Sequence, residues 1–191
     1  DKEGNPLKIV GVILDIDRAK KSEQQLTTRA SFDALTELYN RETIESQIDN
    51  EITLSEARKS EMAVLFIDVD DFKHYNDQYS HATGDQVLKF VARTIKGTVN
   101  EFGFAGRYGG DEFIACIRNA EINDPTRAAQ DIISKLEEGF ECDGVHLTVS
   151  VSIGISMIKD DYNTRVEYII GKADDAMYSV KKNGKSNYAF I

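Results

Sequence analysis

The hydrophobic positions of this chain change period several times, and each change marks an element. "LKIVGVILDI" (Leu7–Ile16) is an apolar run that predicts a strand, and the polar stretch "DRAKKSEQQLTTRA" after it predicts a helix. Helical spacing resumes after Asn40, a suitable N-cap, with Ile44, Ile48 and Ile52 four residues apart. "MAVLFIDVD" is almost fully apolar, the pattern of a central buried strand, and it runs straight into acid at Asp68, Asp70 and Asp71. One helix is predicted from near Phe72. Another is predicted after Gly84, with Val87, Leu88, Val91, Ala92 and Ile95 on one face. "FAGRY" and "EFIACI" flank Gly109-Gly110 and read as a β-hairpin. Asp124 and Pro125 open a helix that carries Ile132, Ile133, Leu136 and Phe140. "VHLTVSVSIGIS" alternates as a strand does. "TRVEYIIGKADDAMYSVKKNGK" reads as a helix stopped by Gly184, and "NYAFI" as a last strand. Helices and strands interleave while several strands are neighbours in sequence. The predicted class is therefore α/β, an α+β sandwich with a mixed central sheet flanked by helices.

Composition narrows the function classes. The 191 residues allow one full domain plus a fragment, and 41% hydrophobic content is enough for an ordinary core. Acidic residues outnumber basic ones 33 to 23, for a net charge of −10, which argues against general nucleic-acid or anionic-membrane binding. Cys116 lies in an apolar run and Cys142 far from it, with no zinc or disulfide spacing, which fits a reducing cytoplasm. No stretch reads as a membrane span or a signal peptide, and the absence of an initial Met fits a piece of a longer protein.

Chemistry gathers around the acids. Asp68 ends a buried strand while Asp111 and Glu112 sit at a hairpin tip, places where a sheet presents side chains to ligands. Carboxylates from two such places suit Mg²⁺, which takes one or two of them plus substrate phosphates. Gly109 and Gly110 lack a Cβ and leave room for a triphosphate near the backbone. Gly109-Gly110-Asp111-Glu112 taken alone reads more readily as an ordinary hairpin turn. Two other signals fail on their own terms. The stretch from Asp68 has Lys73 and Tyr79 where a calcium loop needs Gly and Glu, and the "GKS" at 184–186 follows a helix instead of opening one. His74, His81 and His146 have no metal-ligand spacing.

Several blocks together resemble the GGDEF family of diguanylate cyclases. "DALTELYNR" (Asp33–Arg41) is similar to its entry motif D-x-L-T-x-L-x-N-R, and "DVDDFKHYNDQYSHATGDQVL" (Asp68–Leu88) to its D-x-D-x-F-K block. "RYGGDEF" (Arg107–Phe113) is the signature. "TVSVSIGIS" and "ADDAMYSVKKNGKSN" resemble the last two blocks, in the family's order, with Ser80 standing where a Gly is usual. The resemblance implies a palm-like nucleotide cyclase fold over 32–191. It further implies a Mg²⁺- or Mn²⁺-dependent condensation of two GTP into cyclic di-GMP by two domains facing each other as a homodimer. By position, Asp68, the Val69 carbonyl and Asp111 would hold metal, and Glu112 would help activate the 3′-hydroxyl. Asn76 and Asp85 would read guanine. Phe72 and Lys73, with a helix N-terminus behind them, His81, Gly109, Gly110, Lys181 and Lys185 would contact the rest of the nucleotide. Asn100 and Gly103 occupy the Arg and Asp positions of the family's inhibitory R-x-x-D, which implies no product-inhibition site.

Residues 1–17 resemble the end of a PAS sensor, and 18–31 would be a signalling helix. Its apolar positions, Leu26, Ala30 and Phe32, are too few for a coiled coil, which predicts a largely monomeric chain. The alternative reading is a degenerate module that binds GTP or cyclic di-GMP without turnover. The expected location is the cytoplasm, with the full-length protein free to be membrane-attached.

Overall fold

The computed structural model describes residues 31–121, 123–159 and 163–191. The strand expected over 7–16, the sensor fragment and all but the last residue of the helix expected over 18–31 fall outside those residues. Helix α1 spans Arg41–Arg58 and strand β1 spans Met62–Val69. Two helices follow, α2 (Phe72–Gln78) and α3 (His81–Val99), then strands β2 (Gly103–Gly109) and β3 (Glu112–Arg118). Helix α4 (Pro125–Glu138) leads to the short strands β4 (Phe140–Cys142) and β5 (Val145–Leu147). Strand β6 (Val151–Ile158), helix α5 (Val166–Lys182) and strand β7 (Asn187–Phe190) complete the chain.

Local rules set most boundaries. Asn40 Oδ1 accepts from the Thr43 amide at 3.0 Å, and Asp124 Oδ1 accepts from the Thr126 amide at 2.9 Å, so both expected caps form. The helix expected after Gly84 begins three residues earlier, at His81. Its N-cap is Ser80, whose Oγ accepts from the Thr83 amide at 3.1 Å. At φ −174° Ser80 is plainly extended, so a side chain there meets no backbone penalty, and the hydroxyl does capping work that a glycine cannot.

The five-stranded sheet has the order β2-β3-β1-β6-β7, antiparallel except for the parallel β6–β7 pair, as a mixed sheet requires. Every residue of β1 is buried because helices cover both faces. Ala63, Leu65 and Ile67 pack with Val87, Val91 and Ile95 of α3 and Ile132 and Leu136 of α4. Met62, Val64 and Phe66 pack with Ile44 and Ile48 of α1 and Ile169, Ala173 and Met177 of α5. The alternation of strand side chains then assigns Asp68 to the α1/α5 face, one step past Phe66.

The alternating stretch "VHLTVSVSIGIS" is not one strand. Val145–Leu147 pairs instead with Phe140–Cys142 in a separate hairpin, turned by Asp143 (φ 50°) and Gly144 (φ 79°). An Asp-Gly between two short apolar runs is the hairpin signal, and it places Phe140 in β4 and not in the preceding helix. In β6 the alternation of Val, Ser, Ile and Gly marks no solvent face. Its small residues let α5 sit close, and a Cβ on Gly154 would run into the Ala173 carbonyl and the Met177 amide.

Candidate active site

The register of β1 places Asp68 directly opposite Glu112 on one side and Ser152 on the other. Cross-strand partners share a face, so two carboxylates lie side by side at the end of the sheet. Asp111 occupies the β2–β3 turn beside them, and its carbonyl accepts from the Val69 amide at 3.2 Å. Strand β1 thus reaches the hairpin tip through its own backbone.

Burial and like charge shape this group. Burial pushes the Asp68 carboxyl above the usual carboxylate range. Lys181 pulls it back, and Asp111 and Asp70 push it up again. Glu112 is raised by burial first, then by Asp68, Asp111 and Asp174. The Lys181 ammonium, at the last turn of α5, stands 2.5 Å from Asp68 Oδ1. The buried carboxylate is therefore charge-matched by a side chain for which the family resemblance implies a phosphate contact.

Lys185 lies past the end of α5, yet it reaches the same corner. Its Nζ is 2.7 Å from both oxygens of Asp71, which lowers the Asp71 pKa and raises that of Lys185. Both expected clamp lysines therefore sit on carboxylates of the β1–α2 junction.

The residues expected to face the base and the phosphate backbone come from α2 and the start of α3. Phe72 and Lys73 form the first turn of α2, with Lys73 exposed. This helix has seven residues and begins at Asp71 in the left-handed region (φ 54°) without a side-chain cap, too short to bring much of a macrodipole to bear. The Asn76 carboxamide lies against Gly84, where a Cβ would collide with it, and the Phe72 ring edge lies 3.3 Å from that same point. Asp85 follows Gly84 on α3 and is exposed, as is His81 at the head of the helix. Phe72, Asn76 and Gly84 thus form one group, with Asp85 next along α3, and Asp68, Asp111, Glu112 and Lys181 form another.

The two glycines do different work. Gly110 has φ +38° and open space where a Cβ would be, while a Cβ on Gly109 would meet Glu112 Oε2 at an ordinary 3.6 Å. Gly110 is needed for the turn, and both leave the approach to the backbone clear. Arg107 fastens that turn. Its Nε and Nη2 donate to the Gly110 carbonyl at 3.0 and 2.7 Å, and its Nη1 donates to the Asp33 carboxylate at 3.2 and 3.3 Å. Asp33 also accepts from the Thr36 amide and hydroxyl. Neither Asp33 nor Arg107 was expected in the site from sequence, although each sits inside a quoted block. Gly103, at the start of β2, has a backbone so close to the Cys116 carbonyl that a Cβ would collide with it. An Asp cannot stand there without moving the strand. Asn100 caps the end of α3.

Among the described residues no three His, Cys, Asp or Glu side chains form a ready metal cluster. Two carboxylates, Asp68 and Asp111, fit an ion that takes the rest of its shell from phosphate and water. A cationic group already placed at Asp68 shows that the local field favours positive charge.

The model of the GGDEF family (diguanylate cyclase, GGDEF domain) matches residues 30–187. The chain is 34% identical over 178 residues to signaling protein YkoW of Bacillus subtilis, covering 92% of this chain and 22% of that protein. It is 38% identical over 136 residues to diguanylate cyclase A of Treponema denticola, covering 71% of this chain and 36% of that protein. The chain therefore spans between about a fifth and about a third of the length of these relatives. The GGDEF domain of PA1120 from Pseudomonas aeruginosa superposes with a TM-score of 0.78 at 33% identity, over 83% of this chain and 93% of that one. The GGDEF domain of DgcB from Caulobacter crescentus, solved in complex with c-di-GMP, gives 0.78 at 26% identity over 84% and 95%. With the five-stranded mixed sheet and the Asp68–Glu112 corner in hand, these matches show that the chain belongs to the GGDEF family of diguanylate cyclase domains.

Proposed function

We propose that residues 32–191 form a catalytic domain that condenses two GTP molecules into cyclic di-GMP with release of two pyrophosphates. The observation that carries this reading is the juxtaposition of Asp68 and Glu112 across β1–β3, with Lys181 2.5 Å from Asp68. A fold has no structural need to place two carboxylates of raised pKa side by side at the end of a sheet, and such groups cluster where charge is handled.

In each half-reaction the 3′-oxygen of one GTP bonds to the α-phosphorus of the other, and the bond to the bridging oxygen of the β-phosphate breaks. Asp68, Asp111 and the Val69 carbonyl would hold Mg²⁺ or Mn²⁺, which supplies charge neutralisation at the phosphates and lowers the hydroxyl's pKa. Glu112 sits beside that group with its basicity raised by burial and by three neighbouring carboxylates, which suits it to accept the 3′-hydroxyl proton. Lys181 leaves Asp68 for the triphosphate as the nucleotide enters, and Lys185 likewise exchanges Asp71 for phosphate. Asn76 and Asp85 present an amide and a carboxylate to the guanine edge, and Asp85 accepts from N1–H and N2–H₂. Phe72, Lys73 and His81 line the approach from the start of α2 and α3.

One domain holds one nucleotide, so two domains must meet with two-fold symmetry for the bonds to form. Residues 1–17 are assigned to a PAS-type sensor end and 18–31 to a signalling helix on their sequence pattern, which makes the domain the output of a cytoplasmic sensor system. The absence of a charged pair at Asn100 and Gly103 supports turnover without the family's inhibitory site. Incubation with GTP and Mg²⁺ followed by chromatographic identification of the product tests the reading. Cyclic di-GMP is expected, and none is expected from Asp111→Ala at unchanged thermal stability. Tight GTP binding without any product would leave a binding module in its place.

A further inference from the structure

The turn that carries Lys185 is built from unfavourable backbone. Gly184 (φ 115°), Lys185 (φ 63°) and Ser186 (φ 44°) follow one another in the positive-φ region, and two of the three carry a Cβ. Consecutive residues of that kind persist only where the surroundings over-determine them. Three hydrogen bonds do so here. The Lys185 amide donates to the Val180 carbonyl at 3.1 Å, the Ser186 hydroxyl to Glu137 Oε1 at 2.6 Å, and the Ser186 amide to Asp70 Oδ2 at 3.2 Å. The first belongs to the helix end and the second to a surface carboxylate. The third ties the backbone of the turn to the segment that leaves the end of β1, two residues past Asp68.

Asp70 is itself immobilised. It is 4% exposed, takes the Ser150 hydroxyl on Oδ2 at 2.5 Å and the Ser152 hydroxyl on Oδ1 at 2.7 Å, and donates its amide to the Ser150 carbonyl at 2.9 Å. Its direct partners are thus two hydroxyls and an amide. A carboxylate of this kind could be a plain stitch between β1 and β6. That role, however, needs only the serines. The third acceptance, 116 positions away in sequence, is what distinguishes it. Asp71, next to Asp70, receives Lys185 Nζ at 2.7 Å. Neighbouring residues therefore hold the backbone of the turn and the tip of its lysine.

We infer that Asp70 is a positioning residue for Lys185: its carboxylate holds the Ser186 amide, and through it the strained turn that aims the lysine at the triphosphate site. The inference rests on the proposed clamp role of Lys185. In Asp70→Asn the side chain keeps its shape, but one oxygen becomes a donor facing the Ser186 amide or a serine hydroxyl, and the turn relaxes toward ordinary backbone.

The test measures the dissociation constant of a non-hydrolysable GTP analogue for the whole chain, together with KM and kcat. Asp70→Asn is expected to weaken binding and raise KM roughly tenfold, the worth of one charge-assisted hydrogen bond, with kcat within about threefold. Lys185→Ala is expected to do the same, and the double variant to bind no worse than Lys185→Ala alone. Ser152→Ala, which frees one oxygen of Asp70 without touching its charge, should weaken binding by about threefold in the parent and not at all in the Lys185→Ala background. Additive losses, or normal binding in Ser152→Ala and Asp70→Asn, overturn the positioning role while leaving the clamp intact. Normal binding in Lys185→Ala overturns the clamp role and the positioning role with it, so failure of the underlying reading is told apart from failure of the inference alone. Should Asp70→Asn not fold, the Ser152→Ala cycle decides alone.

Discussion

Gly84→Ala separates stability from recognition. Gly84 lies in the first turn of α3 with its amide on the Ser80 carbonyl at 3.0 Å, and a Cβ built on it falls on the Asn76 carboxamide, 3.0 Å from Cγ. The colliding atoms are the free end of a side chain, so the fold yields by swinging Asn76 away and not by moving backbone. Replacing Gly by Ala inside a helix stabilises by about 1 kcal/mol, which offsets the cost of displacing one half-exposed amide. The melting temperature should stay level or rise slightly. The base-reading group, however, is now turned out of place. Losing one neutral hydrogen bond and leaving its partner poorly satisfied costs about 1–1.5 kcal/mol, close to tenfold in affinity. Titration calorimetry with a GTP analogue should therefore show roughly tenfold weaker binding at undiminished stability, no worse than Asn76→Ala. Unchanged affinity would refute the assignment of Asn76 to the base. A large drop in melting temperature would refute the claim that Asn76 can move.

Gly154→Ala should behave in the opposite way. Its Cβ meets the backbone of α5 at Ala173 and Met177, which cannot rotate aside, so a loss of about 2 kcal/mol or more in urea denaturation is expected. A variant as stable as the parent would mean that α5 can shift. Burial opposes the charge on Asp33, but the Thr36 donors and the Arg107 guanidinium outweigh it and lower its pKa in the folded state. The stability this provides is complete above the unfolded value of about 3.9 and is lost as pH falls through the depressed folded value. Asp33→Asn should therefore cost about 1 kcal/mol at pH 7, with the gap closing in strong acid; a gap independent of pH counts against the ion pair. Added cyclic di-GMP should slow initial rates no more than active-site competition accounts for. Calorimetric binding of product that is lost in Asn100→Ala would show a surviving inhibitory site.

Much of this molecule is legible one segment at a time. The caps at Asn40 and Asp124, the doubly covered strand over 62–69, the Gly-Gly hairpin and the acids that end β1 all rest on residues within a few positions of one another. Local chemistry decides such features, so the sequence alone determined them, and the ordered blocks pointed to the family. Where the local signal was read at the wrong scale the boundaries slipped. Ser80 reads as a departure from a Gly where the structure makes it an N-cap, and Val145–Leu147 reads as the start of one long alternating strand where the Asp143-Gly144 turn just before it makes it half of a hairpin. The pairings that make a site were beyond reach for a different reason. Lys181 on Asp68, Arg107 on Asp33 and Ser186 on Asp70 join positions far apart in sequence. Each exists because helices packed on the sheet and the register of β1 bring chain ends to one corner. A buried carboxylate takes whichever donor or cation the tertiary structure delivers to it, and nothing beside Asp70 in the sequence marks it as the anchor of a turn at the other end of the domain.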